Sequence, residues 1–340
     1  MKAMTQPDPS QPPRRAIRGR FCATVFLGLS LALPARADVT EVVTAHVLPG
    51  YAAFREKAEA LAAEQSCDAD VLRPAYQATF DAWMAVAHLH LGPSEDEGRA
   101  LAIAFWPDPK GLGLKAQMRL LTGDPTDLNP DRFAEQSVAA RGLFGLERLL
   151  YPEKPLPADA CPLIHATTAD LARMASEIDA GWTGGYADIV MTAGAAGNAT
   201  YLTPKEARQA LFTQLVTGLE FLADQRLGRP LGTFDRPRPE RAEARASGRS
   251  LRNITLSLAA LRDLAVQLVP DSPLTQAAFE RAQKEAEALD DPVLDGVSDP
   301  QKRLKVEILQ QAVQTLRETA VAEMAPALGV DLGFNSQDGD

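Results

Sequence analysis

The sequence predicts an all-α protein. Alanine and leucine dominate its composition, while aromatic residues make up only 6% of the 340 residues. Apolar residues recur with the spacing of a helical face, and long β-branched runs that would favour strands are missing from the sequence. An apolar content of 46% in a chain of this length is enough for a large core or two domains. We therefore expect two helical-bundle units.

The first 37 residues have the pattern of a signal peptide. Four arginines precede an apolar segment, residues 21–33, which is too short to span a bilayer. Ala35-Arg36-Ala37, an A-x-A cleavage site, follows the segment, and no cysteine follows that would indicate a lipoprotein. We predict export to the periplasm or cell envelope, a mature start at Asp38 and no transmembrane segment after it. A leader retained in the membrane is the alternative.

The charge of the chain excludes some partners. The formal net charge is −10, and residues 1–37 contribute +5 through six Lys/Arg and one Asp, so the mature chain carries −15. Such a chain repels nucleic acid and anionic membranes, and it suits cations or basic partners.

The cysteines predict one disulfide. Cys22 leaves with the leader, so Cys67 and Cys161 remain as an even pair in an exported chain. Both fall in predicted loops, and an oxidising compartment favours their pairing. The sequence contains no C-x-x-C motif, which argues against a thiol redox site or structural zinc.

The first predicted helix, residues 39–64, carries a histidine on its apolar side. Pro49-Gly50 interrupts the pattern, so we expect a kink or a short first segment. His46 lies one turn from Val42 and Val43. It is either a satisfied core histidine or a metal ligand.

A second helix is predicted over residues 72–91, with two histidines near its end. His88 and His90 would point about 200° apart on a helix, so one helix could not present both to a metal. Their placement near a helix C-terminus favours a structural role. Shorter helices are predicted over residues 95–105 and 110–121.

The central predicted helix spans residues 137–151 and carries the most informative pattern. Gly142 and Gly145 lie beside a leucine stripe. Each glycine costs about 1 kcal/mol in a helix interior, so we expect the close approach of a neighbouring helix or ligand. Glu147 lies at the edge of the stripe, where a carboxylate is partly buried and needs a cation, an amide donor or a metal. Pairing with an arginine is the alternative.

A proline-rich segment, residues 152–162, is interpreted as a linker. We therefore divide the mature chain into units at residues 38–160 and 161–340. The pattern G-L-E-x-L at residues 145–149 recurs at residues 218–222, which fits an internal duplication. The arginine-rich stretch 228–245 is either a solvated loop or a contact for an anion or partner. Helices are predicted over these further ranges: 163–191, 203–227, 251–268, 274–289 and 300–324.

Several of these motifs resemble the imelysin family of secreted helical proteins. The family signature G-x-H-x-x-E is matched by Gly142 and Glu147, whereas Phe144 occupies the histidine position. A histidine shortly before a proline in the first helix, here His46, is similar too. Further similar segments are AFWPDPKG, SGRSLRNI and the tail LGVDLGFNSQDGD. The resemblance implies a link to iron uptake and, for some members, peptidase activity.

The altered signature favours binding over catalysis. Phe144 removes an imidazole ligand, so a site for iron or zinc would depend on Glu147 together with His46. The sequence contains neither an H-E-x-x-H nor a G-x-S-x-G motif. We expect a non-catalytic accessory or binding component of metal acquisition whose partner is a metal ion or an envelope protein. The alternatives are a metallopeptidase and a structural protein that docks a partner.

Overall fold

A computed structural model describes residues 39–330. The predicted signal peptide and most of the C-terminal tail lie outside the described residues. Within residues 39–330 the chain is helical and forms no β-strand beyond one isolated bridge, Thr233 with Arg236, so the all-α prediction is confirmed. Among residues 39–330, none of the helices combines the length and the apolar character that a membrane span requires.

Seven α-helices precede the proline-rich segment. They are α1 Val39–Glu41, α2 Leu48–Ala63, α3 Ala69–Met84, α4 Arg99–Ile103, α5 Leu112–Thr122, α6 Pro130–Ala134 and α7 Gly142–Leu150.

Seven more α-helices follow it. They are α8 Cys161–Gly181, α9 Ala187–Met191, α10 Pro204–Phe221, α11 Gly228–Leu231, α12 Ser250–Leu268, α13 Pro273–Glu287 and α14 Pro300–Leu328. Several helices begin with a side chain that caps their first turn. Asp299 accepts hydrogen bonds from backbone N–H groups in the first turn of α14, and Thr203 accepts one in the first turn of α10.

Three π-helical segments continue these helices. They are Val42–Val47, Trp182–Tyr186 and Leu222–Leu227. The first ends at Val47, two residues before Pro49, where the sequence predicts a kink or a short segment. A π-helical turn changes the direction in which the following side chains point, and such turns are frequent at functional sites.

The helices pack in two sets that meet along α12. In one set α2 packs against α3 and α8, and α7 packs against α3 and α8. In the other set α10 and α13 each pack against α12 and α14, and α12 also contacts α3. The predicted boundary at residues 152–162 is not defined by this packing, because α8 follows the linker and yet packs against helices that precede it. The two-unit division stays a prediction.

The central helix is shorter than the sequence predicts. Val138–Ala140 forms a separate 3₁₀ turn, Arg141 is extended, and α7 begins at Gly142. Gly142 has φ +62°, and a Cβ there would lie 2.2 Å from the carbonyl oxygen of Ala102. At Gly145 a Cβ would lie 2.3 Å from the carbonyl oxygen of Ala140. Both glycines are therefore required by the close approach of backbone.

Two other helix ends differ from the prediction. Helix α3 ends at Met84 rather than at residue 91, and tight turns closed by Val86 and Leu89 follow it. His88 and His90 therefore lie outside any helix, and the angle expected between them does not apply. Helix α12 begins at Ser250, one residue earlier than predicted, and the Ser250 hydroxyl donates to the carbonyl oxygen of Glu243 at 2.6 Å.

Candidate functional site

Glu147 is buried in α7 and held by amide and hydroxyl donors. Its Oε1 accepts a hydrogen bond from the backbone N–H of Ser247 at 2.9 Å and from the Ser247 hydroxyl at 2.5 Å. Burial raises the pKa of the Glu147 carboxyl above its usual value, and the two bonds from Ser247 oppose that shift. The adjacent Arg148 donates instead to Gln117 and to the carbonyl oxygen of Ala139. Ser247, not an arginine, therefore holds this carboxylate.

Phe144 belongs to an aromatic cluster. Its ring meets Phe80 edge to face with centroids 5.5 Å apart, and the guanidinium of Arg249 lies 4.4 Å from the centroid of Phe80. The ring of Tyr76 packs against Phe80 as well, with centroids 5.9 Å apart. Burial and the nearby Glu147 raise the pKa of Tyr76 well above its usual value. The side chain at the histidine position of the signature is thus a packed apolar ring that offers no ligand atom.

His46 is bonded on both ring nitrogens. Its Nδ1 lies 2.6 Å from Oδ2 of Asp263 on α12, and its Nε2 lies 3.0 Å from Nε2 of His88. The π-helical segment before α2 supplies His46, and the turns after α3 supply His88. Both histidines are buried, whereas the side chain of Asp263 is 51% exposed. The pair therefore lies just beneath the surface, with the carboxylate at its outer edge.

The protonation of this group follows from its surroundings. Burial, together with the neighbouring His46, His90 and Arg226, holds the pKa of His88 well below its usual range. The hydrogen bond from His46 lowers the pKa of Asp263. At neutral pH His88 is therefore an uncharged imidazole, and Asp263 is a carboxylate. This is the arrangement in which imidazole binds metal ions.

A buried ion pair lies beside the histidines. Nε of Arg226, in the third π-helical segment, donates to Glu243 at 2.7 Å, and its Nη1 donates to the hydroxyl of Ser257 at 2.9 Å. Asn253 also donates to Glu243, at 3.0 Å. Asn253 and Ser257 lie one turn apart on α12, so this helix carries a polar face into the core.

The stretch 228–245 is only partly the solvated loop that one interpretation predicts. Arg245 pairs with Asp295 at the surface, which fits that interpretation. Glu243 is only 5% exposed and Ala242 and Ala244 are buried as well, so the end of the stretch belongs to the core. Its buried carboxylate is tolerated because Arg226 and Asn253 satisfy it.

The structure does not bring Glu147 and His46 into one group of ligands. Across residues 39–330, a single set of three or more His, Cys, Asp or Glu has all its ligand atoms within 4.8 Å of one another, and it contains Cys67, Cys161 and His165. The partner of His46 is His88, which the sequence interpretation assigned a structural role. No local pattern could identify it, because 41 intervening residues separate the two histidines in the chain and the contact depends on where α3 ends.

Cys67 and Cys161 form a disulfide. Their sulfur atoms lie 1.97 Å apart and their Cα atoms 5.3 Å apart. The bond joins the loop after α2 to the first turn of α8, because Cys161 begins that helix instead of lying in the linker. Nε2 of His165, one turn further along α8, lies 3.2 Å from Sγ of Cys67.

Comparison with known families identifies the chain over most of its length. The family model described as Imelysin matches residues 45–320. Iron-regulated protein A from Synechococcus elongatus is 23% identical over 350 residues, which cover 93% of this chain and 94% of that protein.

Two solved structures share the fold. An imelysin-like protein from Psychrobacter arcticum has a TM-score of 0.71 at 19% identity and covers 87% of this chain and 96% of its own. A protein described as an iron-regulated protein A precursor, from Parabacteroides distasonis, has a TM-score of 0.66 at 15% identity, with 87% and 97% covered. At these identities the likeness concerns the fold alone.

Proposed function

The chain belongs to the imelysin family, and from that premise we propose that it is an exported, non-catalytic accessory protein of iron or related metal acquisition. In this proposal His46 and His88 hold the metal cargo, and the altered signature at Phe144 and Glu147 has a structural role. The contact between the two Nε2 atoms is the observation that carries the proposal.

The spacing of the two nitrogens suits a shared cation. Metal–nitrogen bonds to histidine are about 2.0–2.1 Å long, so two neighbouring ligands of one ion lie about 3 Å apart. The Nε2 atoms of His46 and His88 are separated by 3.0 Å. Asp263 on Nδ1 of His46 fixes the orientation of the first imidazole, as carboxylates do behind metal-binding histidines. A cation would replace the hydrogen bond that now links the two rings.

The signature region supports a structural interpretation. Oε1 of Glu147 already accepts two hydrogen bonds from Ser247, and the neighbouring Phe144 offers no ligand atom. These bonds tie α7 to the segment that leads into α12. We therefore assign Glu147 the role of a buried structural acid.

A two-histidine site favours binding over hydrolysis. Catalytic zinc sites have three protein ligands and one open position, whereas the pair here supplies two imidazole nitrogens. Water or a small chelator would complete the coordination. Cargo held by few protein ligands is easily released, which suits an accessory component that passes metal on.

Export rests on the leader pattern. Residues 1–37 combine a basic segment, a short apolar segment and an A-x-A site. A disulfide between Cys67 and Cys161 fits an oxidising compartment.

The test is a metal titration of the oxidised mature chain with Zn²⁺ and with Fe²⁺ under anaerobic conditions. We expect His46→Ala and His88→Ala each to weaken binding at least about tenfold, since loss of even an outer partner of a ligand costs about 10–100-fold. His90→Ala is the matched control, because His90 is exposed and pairs with Glu95. Binding that both alanine variants retain would refute the site. Protein hydrolysis abolished by a chelator would refute the non-catalytic role.

A further inference from the structure

We propose that Cys67, Cys161 and His165 form a second site, open only after reduction, which holds one thiophilic divalent cation such as Zn²⁺. This cluster is separate from the histidine pair of the proposed function, and the proposal does not depend on that function. It assigns to the disulfide a second state in which metal, instead of a sulfur–sulfur bond, joins α8 to the loop after α2.

The geometry brings three ligand atoms together. The two sulfurs and Nε2 of His165 all lie within 4.8 Å of one another, and Nε2 lies 3.2 Å from Sγ of Cys67. Zinc binds sulfur at about 2.3 Å and histidine nitrogen at about 2.0–2.1 Å, so the ligands of one ion lie about 3–4 Å apart. After the sulfur–sulfur bond opens, small side-chain rotations are enough to reach that spacing. Water would take the fourth position.

The backbone holds the site without the disulfide. Cys161 and His165 are four residues apart on α8, so they share one face of a helix of 21 residues. Helix α8 packs against α2, the helix that leads to Cys67. Cys161 is the first residue of α8, where the partial positive charge of the helix N-terminus favours a thiolate. All three residues are partly exposed, which gives a reductant and a cation access.

The reaction balances with a dithiol as the reductant. Thiol–disulfide exchange transfers two electrons and two protons to the Cys67–Cys161 bond, which leaves two thiols on this chain and a disulfide on the reductant. The cation then binds two thiolates and the neutral imidazole of His165, and two protons pass to solvent. Exchange with an oxidised dithiol, a disulfide, takes the two electrons back, reforms the Cys67–Cys161 bond and releases the cation. The site is therefore filled only in the reduced chain.

Cobalt substitution tests the proposal, because Co²⁺ bound to thiolate gives a near-ultraviolet charge-transfer band that imidazole alone does not give. The mature chain is used in a His88→Ala background, so that the histidine pair does not compete. We expect no band in the oxidised protein and one Co²⁺ per chain, with the band, after reduction by a dithiol and its removal. Excess Zn²⁺ should displace the cobalt. A reduced, folded chain without the band would overturn the proposal.

Single-residue variants test the contribution of each of the three ligands. Cys67→Ser and Cys161→Ser should each reduce the charge-transfer band by about half or abolish it. His165→Ala should keep the band but weaken binding at least about tenfold, while His90→Ala should leave it unchanged. Circular dichroism checks that each reduced variant is folded.

As a second readout, Cd²⁺ should slow alkylation of both thiols in the reduced chain that carries only the His88→Ala change. Unchanged cobalt affinity in His165→Ala, or alkylation at the same rate with and without Cd²⁺, would contradict the site.

Discussion

Nε2 of His46 lies 3.0 Å from Nε2 of His88, and this contact joins the π-helical segment before α2 to the turns after α3. Asp263 supports it from α12. The relationship places two imidazoles and a carboxylate where the two sets of helices meet. The proposed metal site and the first prediction below depend on it.

Asp263→Asn should weaken metal binding by about 10–100-fold, the usual cost of losing the outer partner of a metal-binding histidine. The amide cannot act as the anionic acceptor that orients His46. Calorimetric titration of the oxidised mature chain measures the change. Asp271→Asn is the control, because Asp271 is exposed. Equal affinities for the Asp263 variant and wild type would show that the carboxylate does not act on the site.

Glu147→Gln should stabilise the protein at neutral pH and have less effect in acid. Burial raises the pKa of Glu147, so the folded state binds this proton more readily than the unfolded state. The contribution of this group to stability is therefore greatest below its unfolded pKa, and it is lost as pH rises through the folded pKa. The amide keeps an oxygen acceptor for Ser247. Thermal unfolding across pH 4 to 8 checks the prediction, with the exposed Glu153→Gln as control; a Glu147→Gln variant less stable than wild type at pH 7 would contradict it.

Phe144→His rebuilds the G-x-H-x-x-E spacing, but we expect no gain in metal affinity and a loss of about 1–3 kcal/mol in stability, because a polar ring replaces one packed against Phe80. Glu147 is already bonded to Ser247, and no third donor completes a group there among the described residues. Denaturant unfolding and calorimetry measure the two effects. A gain in affinity that Glu147→Ala then removes would mean that the signature region can still bind metal.

Gly142→Ala should destabilise the fold by about 3 kcal/mol or more, through a strained left-handed backbone and a clash with backbone that cannot move. A Cβ at Gly142 would lie 2.2 Å and 2.3 Å from the carbonyl oxygens of Ala102 and Ile103. Gly184→Ala is the control, since a Cβ there meets nothing within 4 Å. Urea unfolding compares the two variants. Similar midpoints for both would argue against the required close approach.

Replacing Cys67 and Cys161 together by serine should cost up to about 4–5 kcal/mol, because the disulfide closes a long loop in the unfolded chain. The two residues are 94 positions apart. Denaturant unfolding of wild type and double variant, without reductant, measures the loss. Thiol titration of the unfolded mature chain should find no free thiol before reduction and two after it, whereas two free thiols before reduction would contradict the pairing.

Much of the fold follows from local pattern. The helical class and the helices predicted over residues 203–227 and 251–268 depend on residues close together in the chain, so the sequence predicts them. The start of α7 does not, because the backbone approach at Gly142 comes from residues about 40 positions earlier. The candidate site could likewise be predicted only in part, because it too depends on residues that are distant in the sequence. Helical spacing placed His46 on an apolar face, but its contact with His88 depends on the early end of α3 and on a π-helical turn.

Anomalous diffraction from zinc-soaked crystals of the oxidised mature chain tests the central claim most directly. The account predicts one strong peak within about 2.0–2.1 Å of Nε2 of both His46 and His88, lost in crystals of the His88→Ala variant. A peak on Glu147, with the histidine pair still joined by its hydrogen bond, would contradict the account. It would show that metal binds at the position of the family signature.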